Sequence, residues 1–245
     1  MKSSLRKQSI STAIVWRLGA LLVALGGLFA FTSWYLLAQS FDAAEGAGYR
    51  ENALRVGTLL EHDQETLATT LVDYAKWDDA LRFVEGRNPG FIVDNFTPSS
   101  LVNLQIDAVV IMGAGSHRLA SLKLNADKSL SPLTEAELTL YEDSIGRANK
   151  GPITKSLQLG GHPALLAETE VTDTAQTRSS SARISFLRYL DGPYQAGIQA
   201  LTGVDFELIP AGPEVPRGAQ VFRTAGRWQA LLPLQHSTLQ VSMKG

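Results

Sequence analysis

The hydrophobic pattern of this chain changes character twice. From Leu18 to Ala38 it is apolar and uncharged, and it is long enough to cross a bilayer, which needs about 20 such residues. Beyond Ser40, apolar residues recur at spacings of three, four and seven. Leu60, Leu67, Leu71, Tyr74, Leu81 and Val84 make one face of a helix. No proline interrupts 40–86, although Gly46, Gly48 and Gly57 weaken the first half. If the helix runs unbroken from Leu18 to Val84, it is a rod about 100 Å long. Such a rod cannot bury its stripe alone. Its membrane-proximal half is expected to pair with a second copy, and its distal half to pack on the domain that follows.

After the stop at Gly86-Arg87-Asn88-Pro89-Gly90 the pattern shortens. Ser99 or Ser100 can cap a short helix through Gln105. The run 106–112 reads as a buried strand, 113–116 as its turn and Arg118 to Leu124 as the return strand. Thr134 with Glu137 forms a capping box for a helix faced by Leu138, Tyr141, Ile145 and Ala148, ended by Gly151-Pro152. Strands at 153–159 and 164–171 join at Gly160-Gly161-His162 as a tight hairpin. The polar stretch 173–181 reads as a mobile loop and 183–190 as a strand. Asp191 can cap a helix that carries Pro193 in its first turn and stops at Gly203. A strand at 204–209, a loop at 210–217 and short alternating runs from Ala219 to Met243, broken at Ala225-Gly226 and Gln235-His236-Ser237, complete the chain. The class is α+β: an antiparallel sheet with helices on one side.

Charge and composition narrow the function. The chain has 245 residues and a formal net charge of -2, which argues against a nucleic-acid partner, because phosphate binding needs a dense basic field. It has no cysteine, so thiol catalysis, disulfides and thiolate metal sites are excluded. His62, His117, His162 and His236 are scattered without metal-ligand spacing. Gly113-Ala114-Gly115-Ser116-His117-Arg118 follows a strand but has Arg118 at the third glycine position of a dinucleotide loop and runs into strand, so it is a turn. No nucleophile elbow, zinc-protease motif or phosphate loop occurs. Neither an enzyme nor a cofactor is expected. Asn95-Phe96-Thr97 matches a glycosylation sequon, a short pattern of little weight.

Lys2, Arg6, Lys7 and Arg17 precede the apolar run with no acidic residue, which puts the N-terminus in the cytoplasm. Trp34 and Tyr35 suit the far interface. A cleaved signal peptide is the competing reading, but the apolar core is too long and Leu36-Leu37-Ala38 is a poor cleavage site. The expected layout is therefore a cytoplasmic tail (1–17), a transmembrane helix (18–38), a long extracytoplasmic helix (39–85) and a sensor-type α+β domain (86–245).

The chemistry concentrates at Trp77-Asp78-Asp79. Adjacent aspartates are poor helix formers and repel each other, so something must compensate. In the structural reading, Asp78 pairs with Arg82 and Asp79 with Lys76 while Trp77 seals the helix. In the functional reading, Tyr74, Trp77 and Asp78 line a pocket between helix and sheet that takes an amine or another polar small molecule. Arg188 alternates onto the face opposite Leu187 and Tyr189. If that face is core it needs a carboxylate, with Asp78 or Asp79 the candidates.

With its Asp73-Tyr74-Ala75-Lys76-Trp77-Asp78-Asp79 helix beside a transmembrane segment, the chain resembles the CHASE domains of class four, extracytoplasmic sensor domains of bacterial receptors related to the PAS/Cache group. The likeness continues through Asn95-Phe96, Ile106-Asp107-Ala108-Val109-Val110-Ile111, Gly160-Gly161-His162-Pro163-Ala164-Leu165-Leu166 and Phe186-Leu187-Arg188-Tyr189-Leu190-Asp191, over roughly 40–243. Gly113-Ala114-Gly115 stands where the family often has an aspartate. The resemblance implies a PAS/Cache-like sheet and a periplasmic, membrane-anchored sensor of a small molecule, and the unburied stripe of the rod adds the expectation of a homodimer. Its output module would be a diguanylate cyclase, cyclic-di-GMP phosphodiesterase or histidine kinase, which is missing from this chain. The expected ligand-binding residues are Tyr74, Trp77, Asp78, Asp79, Asn95 and Arg188. The alternative is a periplasmic protein–protein interaction module without a small-molecule ligand.

Overall fold

The computed structural model describes residues 4–115, 117–145, 152–210, 220–224, 227–234 and 237–243. Ala148, Gly151, the 211–217 part of the expected loop, Ser116, and the breaks at Ala225-Gly226 and Gln235-His236 lie outside them. The helices are α1 (Ser4–Ala75), α2 (Asp78–Val84), α3 (Phe91–Asn95), α4 (Pro98–Leu104), α5 (Glu135–Ser144) and α6 (Gly192–Thr202). The strands are β1 (Ala108–Met112), β2 (Arg118–Leu124), β3 (Leu130–Ser131), β4 (Ile153–Leu159), β5 (His162–Thr172), β6 (Ser179–Tyr189), β7 (Phe206–Pro210), β8 (Gln220–Thr224), β9 (Arg227–Leu234) and β10 (Ser237–Met243).

α1 passes through two compact units, Met1–Gly48 and Tyr49–Gly245. In the first, Trp16, Leu21, Val23, Leu25, Phe29, Phe31, Trp34 and Leu37 are all exposed around the helix. A helix apolar on every side is suited to lipid, and this one is long and apolar enough to cross a membrane. The Thr32 hydroxyl donates back to the Leu28 carbonyl at 2.9 Å, so it needs no partner from the surroundings.

In the second unit, Ala53, Val56, Leu60, Leu67, Leu71 and Ala75 form the buried stripe of α1. The helix is not continuous to Val84 as expected. It ends at Ala75, and Trp77 is extended (φ −110°, ψ 141°) before α2 begins. This break supplies the missing compensation for the two aspartates. They occupy the first turn of α2, where the helix dipole favours negative charge. Asp79 pairs with Arg82 at 2.6 Å, not with Lys76, and Asp78 accepts a hydrogen bond from the Thr174 amide at 3.0 Å. The pairings expected from unbroken helical spacing are thus replaced by local ones.

Two antiparallel sheets follow: β3-β2-β1-β6-β5-β4 and β7-β10-β9-β8. The larger is the PAS/Cache-like sheet expected of this class. One of its faces carries Val109, Ile111, Leu165, Ile184 and Phe186 into a core shared with α1, α2, α3, α4 and α6. The other carries Ala108, Val110, Leu166 and Leu187 against Leu138 and Tyr141 of α5, so the helices are not confined to one side of the sheet as expected. There the Tyr141 hydroxyl meets Ser185 Oγ at 2.8 Å, and Arg183 binds the buried Glu168 carboxylate at 2.6 Å. Burial, then the Glu168 charge, pushes the Tyr141 phenol far above its ordinary range. The smaller sheet lies against the start of the α1 stripe. Trp228 stacks on Tyr49 at 5.3 Å, and Leu232 comes within 3.5 Å of where a Cβ at Gly57 would stand.

Several local expectations change. Thr97, not Ser99 or Ser100, caps α4, accepting from the Ser100 amide with Pro98 in the first turn. β6 begins at Ser179, so the polar stretch 173–181 contracts to a turn. Asp173 orders that turn by accepting from the amides of Thr177 and Arg178. Asp191 stands at the N-cap of α6 but makes no side-chain cap bond, because its carboxylate meets His162 instead. The capping box of α5 and the hairpin at Gly160-Gly161 (φ +60° and +88°) form as expected.

Phe96 is buried between Tyr74, Phe91 and Phe186, with ring centroids 5.4, 5.7 and 5.8 Å away. It locks α1 and α3 to β6. Phe96→Ala is therefore expected to cost about 3–5 kcal/mol, measured by urea unfolding of the full chain in detergent and followed by circular dichroism.

Candidate functional site

Arg188 leaves β6 on the same face as Ile184 and Phe186, and that face is core: the residue is 3 % exposed. A buried guanidinium must be neutralised and hydrogen-bonded. Its Nε donates to the Gln105 carbonyl at 2.7 Å, and Nη1 lies 3.5 Å from Asp63 Oδ1. Its carboxylate is thus Asp63 of α1, not Asp78 or Asp79. Fifteen residues of mostly helical chain separate Asp63 from Asp78, about 22 Å at helical rise, too far for one side chain to bridge. Gln105 can present its carbonyl because it takes the left-handed conformation (φ 54°) that ends α4.

Asp63 also accepts a hydrogen bond from the Tyr194 hydroxyl of α6 at 2.7 Å. Burial, reinforced by that carboxylate, raises the Tyr194 phenol well above its usual range, so it stays a donor. α1, β6, the α4–β1 junction and α6 thus meet at one polar knot.

Beside the knot opens a cleft of about 640 Å³, lined among others by Asp63, Asp107, Arg188, Tyr189, Asp191 and Tyr194. The volume falls within the range of small-molecule sites. Leu124, Pro193, Ile198 and Leu201 supply apolar walls. Asp107 enters from the start of β1 and accepts from the Tyr189 amide at 2.7 Å. Burial raises its carboxyl above the ordinary range, although that hydrogen bond and the Arg188 charge pull it down. No cluster of potential metal ligands occurs among the described residues.

Of the six residues expected to bind ligand, Arg188 alone lines this cleft. Tyr74 and Trp77 stack on each other at 4.6 Å at the break after α1, with Trp77 36 % exposed. Asp78 and Asp79 make the local contacts already described. Asn95 Nδ2 donates to the Phe91 carbonyl within its own helix at 2.8 Å. The structure gathers Tyr74 and Trp77 at one aromatic elbow and keeps them apart from Arg188.

Asp63, Asp107, Asp191 and Tyr194 are not among the residues expected to bind ligand. Two signals were available. Asp63 and Gln64 occupy the stripe position between Leu60 and Leu67, where helical periodicity calls for an apolar residue. Asp107 sits inside the apolar run 106–112.

A helix that passes from an all-round apolar segment onto an antiparallel sheet with a cleft beside it is the build of a receptor sensor domain, and solved structures share the fold. A domain of a sensory box/GGDEF family protein from Vibrio parahaemolyticus superposes with a TM-score of 0.56 at 9 % identity, covering 81 % of this chain and 94 % of that one. The periplasmic domain of Vibrio cholerae LuxQ gives 0.52 at 11 % identity, covering 79 % and 96 %. The CHASE4 domain matches residues 59–209, and the chain belongs to that family of sensor domains. The methanogenesis regulatory histidine kinase FilI of Methanothrix harundinacea (strain 6Ac) is 26 % identical over 163 residues, 64 % of this chain. The chain spans 18 % of that relative's length.

The raised carboxyl of Asp107 has a consequence for stability. A carboxyl whose folded-state pKa lies above its unfolded value loses stability for the fold as pH rises through that range. Asp107→Asn removes the loss while an amide oxygen can still accept from Tyr189. Melting curves at acid and neutral pH are expected to move in the variant's favour as pH rises; a pH-independent difference refutes the assignment.

Proposed function

We propose that this chain is the periplasmic sensor region of a transmembrane signalling receptor, and that a small molecule bound in the cleft beside Arg188 acts on α1. The observation that carries this reading is that Asp63, a wall of the cleft, belongs to the helix that also contains the apolar segment. A ligand that competes with Arg188 and Tyr194 for Asp63 favours one of two settings of α1 against β6 and α6, and so shifts the population between them. The change reaches the cytoplasm through 18–38, in a parallel homodimer paired along the membrane-proximal helix. The layout 1–17, 18–38, 39–85 and 86–245 belongs to the same proposal, with the inner membrane as the site of the anchor. FilI is a histidine kinase and the Vibrio parahaemolyticus neighbour a GGDEF protein. They support an output that is either phosphotransfer or cyclic-di-GMP turnover, in a part of the receptor beyond this chain. The aromatic elbow at Tyr74, Trp77, Asp78, Asp79 and Asn95 takes part as the joint between α1 and the rest of the core.

The absence of cysteine makes the topology directly testable, because a single introduced thiol is the only one present. In intact cells a membrane-impermeant maleimide is expected to label Glu65→Cys and spare Lys7→Cys; the reverse pattern overturns the orientation. The cleft is tested at Gly197, which lines it and whose added Cβ meets nothing within 4 Å. Gly197→Leu is expected to hold or raise stability by up to about 1 kcal/mol in thermal melts, while filling the cleft and abolishing small-molecule binding in calorimetry.

A further inference from the structure

The cleft has a charge balance that narrows what it can hold, and this inference rests on the reading of the cleft as the ligand site. Asp63, Asp107 and Asp191 line it, with Arg188 the one cationic residue among the described lining side chains and His162 paired with Asp191, so the acids outnumber the lining cation. The guanidinium is turned inward. Its Nε is used by the Gln105 carbonyl, and its side chain is only 4 % exposed. The acids are more open: the Asp63 and Asp191 side chains are 26 % and 34 % exposed. Burial of acidic groups in excess is unfavourable until a cation joins them.

A second, independent feature points to a ligand. Arg188 Nη1 is buried and makes no hydrogen bond, its nearest carboxylate oxygen being Asp63 Oδ1 at 3.5 Å. A buried unmet donor of this kind is destabilising, and an acceptor delivered through the cleft relieves it once Asp63 is drawn away. The apolar walls at Leu124, Ile198 and Leu201 accommodate a short carbon skeleton between the two polar ends.

We infer that the cleft binds a small organic ammonium compound that also carries an oxygen acceptor. The ammonium group sits among Asp63, Asp107 and Asp191, and the oxygen turns toward Arg188. Tyr189 and Tyr194 flank the site and add aromatic surface favourable to a cation. Taking Asp63 away from Arg188 is then the act of binding itself, because the ammonium replaces the guanidinium beside that carboxylate.

The test uses the full chain in detergent, with β-alanine, ethanolamine and lysine as ammonium probes and propionate and butyrate as anions lacking the amine. Thermal stabilisation and calorimetry are expected to show binding of at least one ammonium probe. Asp107→Asn and Asp191→Asn, the second being the cross-check should the first fold poorly, are each expected to weaken it about tenfold or more. Propionate and butyrate are expected to bind at least about tenfold more weakly than β-alanine. If the anions bind as tightly as the ammonium probes, or if no ammonium probe binds, the ligand class is wrong. The two failures separate at Gly197→Leu. Anion binding that this variant abolishes leaves the cleft standing and removes only the ammonium assignment, whereas binding that persists in it removes the cleft as the site.

Discussion

The organisation of the sensor lobe depends on one buried guanidinium. Arg188 is carried by a central strand into a face otherwise made of Ile184, Phe186 and Leu190, where an isolated charge is untenable. Its presence dictates what must surround it: a carbonyl from the left-handed end of α4 and a carboxylate from α1. Replacing the whole set by apolar residues would be tolerable energetically, whereas removing one member would strand the rest. Such a knot specifies an arrangement more than it stabilises one, and the arrangement it specifies is the seating of α1 on the sheet.

α1 itself is held by two kinds of contact. The apolar stripe, from Ala53 to Ala75, is non-directional and permits small slides or rotations. The hydrogen bond from Tyr194 to Asp63 is directional, and the Arg188–Asp63 ion pair acts at the same point, so together they favour one setting. A helix gripped loosely along its length and pinned at one polar point is suited to passing a signal, because a ligand need only alter the pin. The break at Trp77 ends the rigid element there, so a motion of α1 need not drag α2, which is tied to β5 and β6 through Asp78 and Thr174.

Much of the fold was legible in the sequence. Periodicity located the stripe of α1, the β4–β5 hairpin followed from adjacent glycines, and the α5 capping box was read from Thr134 and Glu137 alone. The helical break was not legible as a break, because Leu81 continues the spacing of Leu71 and Tyr74; only the discomfort of paired aspartates hinted at it. The strands of the second sheet were read as short alternating runs, but their assembly into a separate sheet escaped, because β7 pairs with β10, the one furthest from it in sequence, and no local pattern encodes that pairing. At the site, Arg188 was recognised as a charge in need of a partner, but the partner was sought in the conspicuous acidic pair. Asp63 was passed over since a single acid on a long helix reads as solvated surface, although it interrupts a buried stripe. Pairings between a helix and a strand distant in sequence follow from the register of packing, which no local pattern encodes.

The claim that Arg188 pins α1 through Asp63 is tested most directly by a double-mutant cycle on the full chain in detergent. Asp63→Asn and Arg188→Gln are measured singly and together by urea unfolding. The account predicts a coupling of at least about 1 kcal/mol, the double variant being less impaired than the two single losses combined. Additivity to within about 0.5 kcal/mol would contradict it.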